Sequence, residues 1–173
     1  MSNDADCRTE SDLLGEMQIP RDALWGIHTT RAVENFRLSP YKVPHELIKA
    51  LAIVKKSCCE ANAELGYLSC EIADPICFAC DEIAQGQHSD AFITDAMQGG
   101  AGTSTNMNMN EVLANRALEL TGNAKGDYSR INPIDHVNLH QSTNDAYPTA
   151  LRIALIEGFR GLSAEIATLQ GAL

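Results

Sequence analysis

Residues 141–173 read Gln141-Ser-Thr-Asn-Asp-Ala-Tyr-Pro-Thr-Ala150, then Leu151-Arg-Ile-Ala-Leu-Ile-Glu-Gly-Phe-Arg160, then Gly161-Leu-Ser-Ala-Glu-Ile-Ala-Thr-Leu-Gln-Gly-Ala-Leu173. This stretch decides the fold class. Ser142-x-x-Asp145 has the spacing of a helix N-terminal capping box, with Asp in place of Glu. Pro148 is tolerable only close to a helix start. Beyond it, Leu151, Leu155, Phe159, Leu162, Ile166, Leu169 and Leu173 recur at spacings of four and three. That rhythm is near the 3.5-residue period of a seam in a helical bundle. A seam of that length needs partner helices, and no later segment among the 173 residues supplies them. The expectation is that these residues form the front of a longer polypeptide.

Upstream the pattern stays helical. Leu47, Leu51, Val54, Cys58, Ala61 and Leu65 form one apolar stripe, with Pro44 before it and Gly66 as its stop. Asp74-Pro75 reads as N-cap and first helical residue of another helix, with Ile76, Ala79, Cys80 and Ile83 on its face and Gly86 at its end. Val112, Leu113, Ala117 and Leu120 supply a third face, closed by Gly122, with Asn110 and Glu111 near its beginning or within its first turns. A short helix is expected from about Thr29 through Phe36. Residues 8 to 30 are irregular, and Met17-Gln-Ile19 has the makings of a small hairpin. The chain is therefore expected to be mainly α: an N-terminal helical domain over 1–141 with a short irregular or hairpin lead-in, and the start of a long central-bundle helix over 142–173.

A second loop also runs into a helix pattern: Gln98-Gly-Gly-Ala-Gly-Thr-Ser-Thr-Asn-Met-Asn-Met-Asn110. Both loops place short neutral donors beside helix N-termini, where unpaired N–H groups and the helix dipole favour anions. Capping alone would use one hydroxyl per helix, each worth about 1 kcal/mol. The surplus of Thr, Ser and Asn suggests a ligand, and small carboxylates suit such groups. Gly99-Gly-Ala-Gly-Thr-Ser is not a phosphate loop, because no Lys follows its last Gly and no apolar strand precedes it.

Composition narrows the field. With 13 Lys+Arg against 23 Asp+Glu, the net charge is −10, which repels nucleic-acid phosphates. No apolar run approaches the ~20 residues of a membrane helix, and Met1-Ser-Asn-Asp-Ala-Asp6 is too polar for a secretory leader, so a cytoplasmic protein is expected. Cys77-Phe-Ala-Cys80 has metal-pair spacing, yet it lies on an apolar helical face where such residues pack. His136-Val-Asn-Leu-His140 lacks the Glu of a zinc helix and its neighbours favour a loop. Neither a metal nor a cofactor is expected.

At Gly102-Thr-Ser-Thr-Asn-Met-Asn108 and Gln141-Ser-Thr-Asn-Asp145 the chain resembles the first two signature regions of the aspartase/fumarase superfamily. Asp12-Leu-Leu-Gly15, Trp25-Gly-Ile-His-Thr29, Arg31-Ala-x-Glu-Asn-Phe36, Cys80-Asp-Glu82, Asn110-Glu-Val-Leu-Ala-Asn115 and Asn132-Pro-x-Asp-His-Val-Asn138 extend the likeness from about residue 8 onward. Ala101, Thr143 and Asn132 are similar to the aspartate ammonia-lyase branch, where class II fumarases carry Ser, Ser and His. Ile134 departs from both branches, which carry Asn there.

The resemblance implies reversible anti elimination of ammonia from L-aspartate to give fumarate. It implies that Thr103, Ser142, Thr143 and Asn144 bind the substrate carboxylates and amino group. Ser142 and Thr143 would meet the developing dianion, and Asn144 would accept from the ammonium. It further implies a homotetramer whose active sites draw on three subunits. The family's general base, a Ser in Gly-Ser-Ser-x-Met-Pro-x-Lys-x-Asn, does not occur in residues 1–173, and neither does its Thr-His segment. No catalytic residue is therefore assigned here, and the chain alone is expected to be inactive. Two alternatives stand beside this reading: a class II fumarase hydrating fumarate to malate with the same loops, and a non-catalytic truncated module.

Overall fold

The computed structural model describes residues 6–173. The opening polar stretch therefore lies, for residues 1–5, outside the described residues. A hairpin of β1 (Cys7–Asp12) and β2 (Gly15–Pro20) leads in, paired antiparallel from Cys7 opposite Pro20 to Asp12 opposite Gly15. Asp12 does two jobs at its tip. Its Oδ1 accepts from Leu14 N at 2.8 Å, and its carboxylate takes the Arg31 guanidinium at 2.7 and 2.8 Å. The hairpin buries Ile19 and Glu10, and the expected pairing around Met17–Ile19 is present.

Five α-helices follow: α1 (Ile27–Asn35), α2 (His45–Glu64), α3 (Cys70–Ala84), α4 (Thr103–Leu120) and α5 (Thr143–Ala172). The chain is mainly α, as its periodicity predicts. α4 is the axis. It packs against α1, α2 and α3 and against the segment before α5, and Met109, Val112, Leu113, Ala114, Ala117 and Leu118 are fully buried on it. A helix enclosed on several sides cannot show one apolar stripe, which is why its face is misread from sequence. Leu118 belongs to the core and Leu120 lies 37% exposed. Asn110 and Glu111, expected near the helix start or within its first turns, sit in its third turn.

α2 begins behind Pro44 and stops where Gly66 takes φ +77. Its predicted stripe holds over Leu47 and Leu51, then slips by one residue. Lys55, Cys59 and Asn62 are buried, while Val54 and Cys58 are half-buried and Ala61 is exposed. The stripe keeps the 3.6-residue period of the helix, but it runs along one edge of the buried face, whose centre lies toward Ile48, Lys55, Cys59 and Asn62. α3 starts at Cys70 with Ser69 as N-cap, five residues before the expected start at Pro75. Pro75 lies inside the second turn. The hydrogen bond it cannot make frees the carbonyl of exposed Glu71, where water is at hand. α1 starts at Ile27, slightly ahead of the expected Thr29.

α5 packs its first turns on α2 and then leaves the body. Every residue from Leu155 to Leu173 is exposed. No helix among the described residues is long and apolar enough to cross a membrane.

Candidate functional site

Two helices begin side by side. α4 starts at Thr103 behind Gly102, and α5 starts at Thr143 behind Ser142. Gly102 makes the approach possible. Its φ is +83, and a Cβ there would lie 2.4–2.5 Å from the ring carbons of Tyr147 on α5. Only a hydrogen fits between the backbone and that ring. A direct bond joins the two starts: Asn106 Nδ2 donates to Thr143 Oγ1 at 3.2 Å. Two sets of unpaired N–H groups, each at the positive end of a helix dipole, thus share one corner of the molecule.

The loop ahead of α4 is clamped by Gln98. Its Oε1 accepts from Thr105 N at 2.9 Å, and its Nε2 donates to Thr105 Oγ1 at 2.7 Å and to the Asp95 carbonyl at 2.9 Å. Asp95 is fixed in turn by the hydroxyl and amide of Ser39 and the amides of Leu38 and Met97. The Ser39 hydroxyl, with those amides, holds its carboxyl down to about 2.

The four predicted binding residues divide as follows. Ser142 acts as N-cap, its Oγ accepting from Asn144 N at 3.2 Å, which leaves the hydroxyl proton free to donate outward. Thr143 is half-buried and accepts from Asn106. Thr103 and Asn144 are exposed, and their side chains make no hydrogen bond among the described residues. Thr103 and Thr143 are therefore brought to one corner at the first positions of adjoining helices, with Ser142 and Asn144 flanking Thr143. A groove of about 370 Å³ between α2 and α5, lined by Cys58, His140, Gln141, Ser142 and Asp145 among others, opens next to Ser142.

The surplus of amides in 103–110 is taken up by the fold. Asn106, Asn108 and Asn110 are buried. Asn108 bridges the Ala91 carbonyl and the Ile93 amide. Asn106 and Asn110 both donate to Asn138 Oδ1, at 3.1 and 3.2 Å. Sequence reasoning missed the centre of this cluster. Lys55 is fully buried on α2, and its Nζ donates to Asn138 Oδ1 and Gln141 Oε1, each at 2.8 Å. Burial lowers its pKa to about 7. The one signal available was its place on the buried side of α2, one residue off the assumed stripe. Glu111 was missed too. It takes the amides of Gly26, His28 and Thr29 and the Thr29 hydroxyl at 2.6–3.0 Å, and so caps α1 from a distance. Burial raises its pKa, and the four donors oppose that rise.

The cysteines are all unpaired thiols, with Cys59 and Cys80 buried. Burial raises the Cys80 thiol well above its ordinary value. His136 lies in a π-helical turn, Pro133–Val137, and His140 is at φ +57. Among the described residues, no group of three or more His, Cys, Asp or Glu could hold a metal ion.

The chain is similar to known proteins along nearly its whole length. A family model described as "Lyase" matches residues 15–173. An aspartate ammonia-lyase of a Bacillus species is 56% identical over 151 residues, which cover 87% of this chain and 32% of that protein. A class II fumarate hydratase of Halobacterium salinarum is 47% identical over 169 residues, or 93% of this chain and 36% of that one. The crystal structure of a fumarate lyase:delta crystallin from Brucella melitensis superposes with a TM-score of 0.84 at 54% identity, covering 86% of this chain and 34% of that chain. The chain spans about a third of the length of these relatives.

Proposed function

Given that the chain belongs to this lyase family, we propose that the protein carrying it is an aspartate ammonia-lyase, which removes ammonia from L-aspartate to give fumarate. The observation that carries the reading is the shared corner of two helix N-termini, with Thr103 and Thr143 at the first position of each. The reaction takes a proton from the carbon beside a carboxylate. The electron pair moves into that carboxylate as an aci-anion and then expels the amine as the C–N bond breaks. The intermediate carries an added negative charge, and preorganised donors aimed at it lower the barrier. Thr103, Ser142 and Thr143 supply neutral hydroxyl donors, backed by two helix dipoles. Asn144 supplies a carbonyl oxygen that can accept from the substrate ammonium.

In this reading residues 1–141 form the N-terminal domain. Residues 142–173 begin the helix of a central bundle, whose exposed seam would be covered within a homotetramer. The general base would come from outside these 173 residues. Thr143→Val tests the site in the active protein. It is expected to lower kcat/KM for aspartate by roughly 10²-fold, the usual cost of losing one anion donor. Near-normal turnover would remove Thr143 from the dianion site. The Halobacterium relative, at 47% identity, favours a second reading, a class II fumarase. Comparing turnover of aspartate with that of malate separates the two.

A further inference from the structure

Lys55 is an unusual residue for its place. It is fully buried, and no carboxylate lies within ion-pair distance of it among the described residues. The titratable groups that face it are the thiols of Cys58 on its own helix and Cys80 on α3. Both of its hydrogen-bond partners are side-chain amides. Burying a cation without a counter-charge is costly, so its contacts matter.

Those contacts have a direction. Below about pH 7 Lys55 is an ammonium, with donors and no acceptor, so the amides of Asn138 and Gln141 must turn their oxygens toward it. With its oxygen so committed, Asn138 points its NH₂ at the Gln141 carbonyl, 3.1 Å away. Asn106 and Asn110 meet the Asn138 oxygen and must present their own NH₂ groups to it. The Asn106 nitrogen that faces Asn138 also reaches Thr143 Oγ1. Thr143 therefore accepts from inside, and its proton is left to donate outward. This orientation leaves Asn106 Oδ1 and Asn110 Oδ1 buried and unpartnered among the described residues. Flipping Asn106 would give its carbonyl the Thr143 proton. It would also set that carbonyl against the Asn138 oxygen, which Lys55 holds in place.

We propose that Lys55 is a positioning residue for the anion-binding corner. It sets the direction of the Lys55–Asn138–Asn106–Thr143 hydrogen-bond chain, so that Thr143 gives its proton to a bound carboxylate rather than to Asn106. The inference rests on the reading that Thr143 meets a substrate carboxylate. Lys55 touches no substrate in this scheme and acts only through the amides.

The test is a double-mutant cycle in the active protein, with succinate as an unreactive dicarboxylate probe. Its affinity is measured in the unmodified protein, Thr143→Val, Lys55→Met and the double variant. Each single change is expected to weaken binding about tenfold, and the double variant no further, because both remove one donated hydrogen bond. Two results overturn the relay and leave the site reading standing. One is weakened binding in Thr143→Val with none in Lys55→Met, and the other is a fully additive double variant. Unchanged binding in Thr143→Val overturns the site reading and the relay together. Neutron diffraction from the deuterated, unmodified protein at pH 6 covers the case in which Lys55→Met does not fold. The deuteron on Thr143 Oγ1 is expected to point away from Asn106, and a deuteron pointing at Asn106 Oδ1 overturns the proposal.

Discussion

Lys55 should leave a mark on stability as well as on the site. Its folded pKa is lowered to about 7 from an ordinary value of 10.5. Between those values the unfolded chain holds a proton that the folded chain has shed, so stability rises with pH. The clean window runs from about pH 7 to about 8.5, where unfolded thiols begin to ionise. Above it the buried thiols of Cys58 and Cys80, raised by desolvation, work in the opposite sense. Urea unfolding should show ΔG climbing across that window by up to about 1.4 kcal/mol per pH unit, and Lys55→Met should flatten the climb. Gly102 is the second residue with a clear forecast. Gly102→Ala puts a methyl group 2.4–2.5 Å from the Tyr147 ring at φ +83. Strain and displacement together should cost about 2–4 kcal/mol. Thermal denaturation checks the loss, and weakened succinate binding would show that the two helix starts have been pushed apart.

Helix α5 has two unequal halves. Ala146 and Ala150 are buried against the body, and beyond Ile153 and Ala154 nothing is covered. Leu155, Phe159, Leu162, Ile166 and Leu169 lie 50–66% exposed. Gly158 and Gly161 each cost a helix interior about 1 kcal/mol relative to Ala. Tertiary packing normally supplies most helix stability, and this segment has none within the chain. In the 173-residue chain by itself, amides of residues 158–171 should exchange with solvent far faster than those of 147–154. Equal, strong protection along the whole helix, in a chain shown to be monomeric, would contradict the picture of a seam awaiting partners. The same element also shows why capping chemistry reads well from sequence. Ser142 caps through a bond to the backbone two residues away, and such local rules need no distant neighbour.

For the whole molecule, the four residues proposed to bind substrate at the shared corner bring hydroxyls and an amide but no base, and a third of a relative's length is present. The 173-residue chain by itself is expected to produce no fumarate from aspartate above background, and measurable turnover would place a base within these residues. What the sequence by itself determined was local and periodic. The helix of 151–173, the capped start at Ser142, the stops at Gly66 and Gly86, and the family likeness of both loops all follow from neighbours within a few residues. What only the tertiary structure decided was the direction in which polar groups face. The amides of 103–110 look alike in sequence. Packing sends Asn106, Asn108 and Asn110 inward and leaves Thr103 outside, because α4 is enclosed on several sides. Lys55 and Glu111 look like surface charges, yet one is buried against Asn138 and Gln141 in the segment before α5 and the other caps α1 some eighty residues away in the chain. A charge is affordable inside only where distant segments bring it enough hydrogen-bond partners, and one-dimensional spacing carries no record of those partners.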